Sequence, residues 1–267
     1  MAAPPPPTPR VQPIKLLASS HDVRAWPGGV GNAKVGGNYA PSIKVQRAAA
    51  ERGYSQVLWL FGDAREVTEV GTMNFFVHWV NEDGQRELVT APLTDGTILP
   101  GVTRQSILDL ARGPAWRGDV GVVSERKFTM AQLARAVTEG RVLEAFGAGA
   151  WGRAGRRAGG RGWLRIGCVP TMWEVGAWGG GRGWEGSFAA LPHNTLVPCC
   201  YPTPSRAGTA AVVSPIKLIH WDGADYEIPL NKAQPGAGAG PLAQRVWDSL
   251  RDIQYGRTPH EWSVKIA

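Results

Sequence analysis

Between residues 14 and 149 the apolar positions follow two different periods. Residues 56–61 (QVLWLF) and 74–80 (NFFVHWV) are dense in β-branched and aromatic side chains, which predicts strands. The tetrapeptide Asn81-Glu82-Asp83-Gly84 lies between the second run and Glu87-Leu88-Val89, so a β-hairpin is expected there. Residues 42–52, 103–112 and 129–139 instead place apolar side chains at helical spacing. Thr129, three residues before Gln132, predicts a capping box for the third of these helices. A further apolar run, TAAVVSPIKLIHWDG, begins at Thr209 and ends in a turn, and a helix is predicted over 241–252. Strands interleaved with helices predict an α/β domain.

Residues 150–208 break this texture. They are dense in Gly, Arg and Trp, without strand or helix period, and are expected to be a disordered insertion. The chain's formal charge of +7 is concentrated there, with seven arginines against Glu174 and Glu185. Five tryptophans interleave with the arginines (151, 163, 173, 178 and 184), a pattern that could hold single-stranded nucleic acid by charge and stacking. Random translation of GC-rich sequence also yields Gly, Arg and Trp, so this reading is kept only as an alternative. Residues 1–13 form a proline-rich leader unable to build a core. With 43% apolar residues but no run of 18, the chain can bury a core and is not expected to span a membrane. Cys168, Cys199 and Cys200 show no metal-ligand spacing, so neither zinc nor a disulfide framework is expected. No targeting signal is legible, and the compartment is left open between cytoplasm and mitochondrion.

The chemistry concentrates in residues 24–41, RAWPGGVGNAKVGGNYAP. Five glycines surround Lys34 there and allow close backbone approach to a ligand. Further segments follow in order: Thr68-Glu-Val-Gly-Thr-Met-Asn74, Leu99-Pro-Gly-Val-Thr-Arg104, Ser124-Glu-Arg-Lys-Phe128, Asp252-Ile-Gln-Tyr-Gly256 and His260-Glu-Trp262. Together these resemble the branched-chain amino-acid aminotransferases of the class IV, pyridoxal-phosphate-dependent type, over residues 14–149 and 209–267.

The resemblance implies an α/β (α+β) large domain of fold type IV, a pseudo-barrel of mainly antiparallel strands flanked by helices. It implies pyridoxal 5'-phosphate as cofactor, and transfer of the amino group of leucine, isoleucine or valine to 2-oxoglutarate by a homodimer. Lys34 matches the lysine that forms an imine with the cofactor and moves the substrate α-proton. Glu69 matches the carboxylate on the pyridine nitrogen, Tyr39 the tyrosine near the ring hydroxyl, and Thr72 a residue orienting the ring. Gly101, Val102 and Thr103, at a helix start, match the phosphate site. Thr209 resembles the second phosphate contact, and with Ala210 it falls on the substrate side. Arg24 also falls in the lysine motif.

Two departures from the family pattern follow. The family's smaller N-terminal domain has no counterpart before Arg24, so a catalytically impaired fragment stands as an alternative to a working enzyme. Residues 150–208 interrupt what resembles a Phe-Gly-x-Gly-Thr-Ala turn, with Phe146-Gly-Ala-Gly149 before the block and Thr209-Ala-Ala211 after it. Excising the block restores the turn, as expected of a retained intron. The family's CxxC pair corresponds to Ala211-Val-Val-Ser214, so no thiol switch is expected.

Overall fold

A computed structural model describes residues 12–151, 211–231 and 238–263. Most of the proline-rich leader, nearly all of the Gly/Arg/Trp block, and Thr209 and Ala210 lie outside the described residues. In chain order the elements are β1 (Ile14–Ser19), α1 (Gly36–Glu51), β2 (Gln56–Phe61), β3 (Glu66–Val70), β4 (Met73–Val80), β5 (Arg86–Thr90), α2 (Val102–Arg112), α3 (Arg117–Val120), β6 (Val122–Glu125), α4 (Met130–Thr138), β7 (Val142–Trp151), β8 (Ala211–Trp221), β9 (Ala224–Glu227) and α5 (Pro241–Gln254).

The strands pair in the order β3-β2-β1-β8-β7-β4, and β4 pairs back onto β3, so six strands close a ring. Strands β5 and β6 extend outward from β4, while β9 pairs with β8. Only β1–β2, β1–β8 and β5–β6 run parallel among the described pairings. This is the mainly antiparallel barrel that the resemblance implied.

Alternation along β4 explains why both faces of the sheet are buried. Phe75, Val77 and Trp79 join Leu16, Leu58, Leu60, Val67, Ile216 and Ile219 in one core, closed by Met130 and Leu133 of α4. Phe76 points the other way, with Leu88 and Phe146, against Ile107 and Leu108 of α2 and Leu242, Val246 and Trp247 of α5. Each such side chain contributes about 1.5–3 kcal/mol on burial. Asn74 and His78 share the face of Phe76, since side chains two apart lie on the same side of a strand. Glu69 of β3 stands opposite Asn74 in the ladder and so lies on this same face.

Local signals account for most element ends. Thr129 Oγ1 accepts from Gln132 N–H at 3.1 Å, and Gln132 Oε1 accepts from Thr129 N–H at 2.9 Å, which is the expected capping box. Asn81 Oδ1 accepts from the N–H groups of Asp83 and Gln85 and closes the expected hairpin. The helix expected from residue 42 instead begins at Gly36 and runs through Pro41. Proline's fixed φ suits a helix, and near the N-terminus it removes only one ladder hydrogen bond. Helix α5 starts on a buried carboxylate: Glu144 of β7 accepts from Leu242 N–H at 2.7 Å and Ala243 N–H at 2.9 Å. A Cβ on Gly240 would come within 2.1 Å of that carboxyl, so glycine lets the helix start approach the strand.

Opposite Glu144 in the ladder stands His78, only 5% exposed. Burial, with the charge of Arg86, holds its imidazole down to about 4, outweighing the opposing pull of Val120 carbonyl and Asp119. The unfolded chain protonates this histidine from about 6.5, so the folded state loses stability as pH falls from 6.5 through 4. The full loss amounts to about 3 kcal/mol. Urea midpoints of wild type and His78→Phe are expected to diverge over this window, with the wild type falling more steeply. Parallel curves would show that His78 does not contribute to the acid sensitivity.

Candidate active site

The loop between β1 and α1 carries Lys34 and is held by buried contacts rather than by regular structure. Asn38 Nδ2 donates to the carbonyls of Val30 and Ala33, the latter at 2.7 Å, so the first turn of α1 fixes the chain just before the lysine. Gly31 packs so tightly that a Cβ would come within 2.4 Å of Ala25 Cβ and 2.7 Å of the Gly96 carbonyl oxygen. The Lys34 side chain itself is exposed. Around it, Trp26, Val30, Val35 and Ile43 leave large apolar side chains in solvent.

Beneath the loop lies Glu69, 3% exposed, at the end of β3. Its Oε1 accepts from Asn74 Nδ2 at 3.0 Å and from Leu99 N–H at 2.8 Å. Its Oε2 pairs with Arg24, whose side chain is itself only 5% exposed. Arg24 also donates to the Gly31 carbonyl at 3.2 Å, while its buried Nε has no hydrogen-bond partner among the described residues. Burial pushes the Glu69 carboxyl up to about 7, against the pull of the Arg24 charge, the Leu99 N–H and the Lys34 charge. The Tyr39 hydroxyl is raised as well, by burial first, with Arg24 acting to lower it and Glu69 to raise it. Lys34, Tyr39, Arg24 and Glu69 therefore share one electrostatic neighbourhood, although 45 residues separate its first member from its last.

Two turns frame this carboxylate. Gly71 and Thr72 join β3 to β4, with Gly71 at φ 59°, where a Cβ would come within 2.0 Å of Gln56 Oε1. Thr72 is exposed on that turn. Gly101 is the N-cap of α2, and no side chain among the described residues caps the helix, which leaves its first N–H groups open to an anion there. Val102 is 84% exposed and Thr103 half-buried at this start. A Cβ on Gly101 would come within 2.2 Å of Asn74 Oδ1. The helix is anchored by Arg104, 1% exposed, which donates to the Ala91 carbonyl and to Glu125 Oε2, both at 2.8 Å. The Leu99–Arg104 and Ser124–Phe128 motifs thus meet in one ion pair, and Phe128 enters the core.

A family model described as Amino-transferase class IV matches residues 1–139, just over half the chain. The chain belongs to this family. Among curated relatives, the branched-chain-amino-acid aminotransferase of Monosiga brevicollis is 44% identical over 256 residues, covering 96% of this chain and 48% of the relative. The mitochondrial branched-chain-amino-acid aminotransferase of Mus musculus is 39% identical over 254 residues, covering 95% and 47%. The chain spans about half the length of the curated relatives it matches. In fold it is similar to the branched-chain amino acid aminotransferase of Escherichia coli, with a TM-score of 0.54 at 21% identity over 94% of this chain and 54% of that one. It is also similar to the T.th. branched-chain amino acid aminotransferase solved with pyridoxamine 5'-phosphate, at a TM-score of 0.53 and 21% identity, covering 97% and 56%.

The class IV motifs were read in the sequence for their lysine, carboxylate and helix start, but not for the amides that hold these groups. Asn38 and Asn74 both lie inside quoted motifs and both are buried. A polar side chain fixed amid glycines and apolar neighbours was the available signal. No metal-ligand cluster occurs among the described residues, and no described helix is long and apolar enough to cross a membrane.

Proposed function

We propose that this chain carries the pyridoxal 5'-phosphate site of a branched-chain amino-acid transaminase, moving the amino group of leucine, isoleucine or valine to 2-oxoglutarate. The observation that supports this most is the convergence of Lys34, Tyr39 and Arg24 on the buried carboxylate of Glu69.

The residues present fit the cofactor. Glu69 would take the pyridine nitrogen, which must be kept protonated if the ring is to accept electrons. Tyr39 would lie against the ring hydroxyl and Thr72 against the ring. Gly101, Val102 and Thr103 would take the phosphate on uncapped N–H groups at the positive end of α2, with Thr209 as second contact and Thr209 and Ala210 on the substrate side. When bound, the cofactor withdraws electrons from the substrate α-carbon. Lys34 Nζ would hold it, take the α-proton and give one back. Arg24 acts through Glu69, keeping the second carboxylate oxygen engaged so that the acid does not rotate out of position.

Amino acids and 2-oxo acids are the partners of this reading, and a homodimer is its assembly, supported by the exposed apolar side chains around the lysine loop. Relatives include mitochondrial and cytosolic members, and either compartment suits the proposal. Borohydride reduction of the chain with pyridoxal 5'-phosphate, followed by peptide mass mapping, tests it: one adduct is expected, on Lys34. Adducts spread over Lys15, Lys44 and other surface lysines would contradict the assignment.

A further inference from the structure

Asn74 touches both halves of the proposed site. Its Nδ2 donates to Glu69 Oε1 at 3.0 Å and to the Leu99 carbonyl at 2.8 Å. The Leu99 N–H closes the figure by donating to the same Glu69 oxygen at 2.8 Å. Its other atom, Oδ1, lies where a Cβ on Gly101 would come within 2.2 Å, so the N-cap of α2 rests against it. The residue is 4% exposed and stands directly opposite Glu69 in the β3–β4 ladder. Two donor hydrogens meeting two acceptors is what a side-chain amide supplies. Aspartate at this position would set a second carboxylate against Glu69, and an apolar residue would leave Leu99 and Glu69 short of donors.

We infer that Asn74 is a positioning residue that ties the carboxylate facing the ring to the helix start facing the phosphate, so that both ends of the cofactor are recognised by one rigid frame. The inference rests on the cofactor assignment proposed above. Its consequence is specific: losing Asn74 weakens phosphate recognition as well as ring recognition, whereas losing the Glu69 charge weakens the ring side alone. Groups that orient a ligand-binding residue typically change affinity roughly tenfold or more when removed.

The test is calorimetric titration of the full chain with pyridoxal 5'-phosphate and, separately, with pyridoxal, which lacks the phosphate. Glu69→Gln is expected to lower both affinities by a common factor and leave their ratio at the wild-type value. Asn74→Ala is expected to lower both and also to narrow the ratio about tenfold. Asn74→Asp keeps the side chain's shape, so its ratio should be narrow where both carboxylates are ionised and should recover as pH falls and one of them becomes a donor. A wild-type ratio in Asn74→Ala, or a ratio in Asn74→Asp that does not change with pH, would overturn the inference. If the wild type binds neither aldehyde, the cofactor assignment fails, and hydrogen exchange at the Leu99 amide decides the frame by itself. Protection lost in Asn74→Ala supports it, and protection retained overturns it.

Discussion

Arg24→Ala is expected to destabilise the chain by about 3–5 kcal/mol in alkaline buffer and by clearly less in mildly acid buffer, because it strands a buried carboxylate. Glu69 is 3% exposed and its second oxygen has Arg24 as the charged partner. With the guanidinium gone, the desolvation that already lifts this carboxyl to about 7 acts with less opposition, and the group rises further. A folded-state value above the unfolded one means that stability is complete below the unfolded value of 4.5 and is lost as pH rises through the folded value. The variant can evade the penalty by holding a proton in acid, but not in base. Urea unfolding at several pH values would show the gap between wild type and Arg24→Ala widening upward. Glu69→Gln in the same background should narrow it, since no charge then needs a partner. A gap independent of pH would mean that Arg24 acts through packing and its bond to the Gly31 carbonyl instead.

Lys34→Ala has the opposite profile. Its side chain is exposed, so stability should stay within about 0.5 kcal/mol of wild type. Amino-group transfer should nevertheless fall by at least about a thousandfold, because in the proposed assignment the same amine would both hold the cofactor and move the α-proton. Lys34→Arg should be no better, since a guanidinium remains protonated and is not a usable nucleophile. Measuring leucine-dependent glutamate formation beside a thermal melt separates the two effects. Transfer that survives in a well-folded Lys34→Ala protein would remove the lysine from the mechanism.

These two residues also mark how far the sequence could be read. The glycine-rich segment around Lys34 was legible as a local motif in register with the others, and the strands over 56–61 and 74–80 were legible because their apolar runs are local, the second starting one residue earlier, at Met73. The Arg24–Glu69 pair was not, because it joins the β1–α1 loop to the end of β3 and depends on the ring of strands closing. Asn74 was hidden for a different reason. An asparagine in a strand reads as a poor strand former, and only its register opposite Glu69 and its contact with Gly101 show why it stands there. Glu144 was hidden likewise, as a charged residue in a strand whose partner is the start of a helix almost a hundred residues later. The start of α1 was misplaced because Pro41 reads as a barrier to a helix, whereas near an N-terminus it is tolerated.

Amino-group transfer at Lys34 can be followed in a single turnover. The chain is loaded with pyridoxal 5'-phosphate, freed of excess, mixed with isotopically labelled leucine in the absence of any 2-oxo acid, and the labelled 2-oxo acid released is counted. One equivalent is expected per occupied site, with release absent from Lys34→Ala. A wild-type chain that retains the cofactor on Lys34 yet releases none would rule out transfer there and leave a cofactor-binding domain without transferase chemistry of its own.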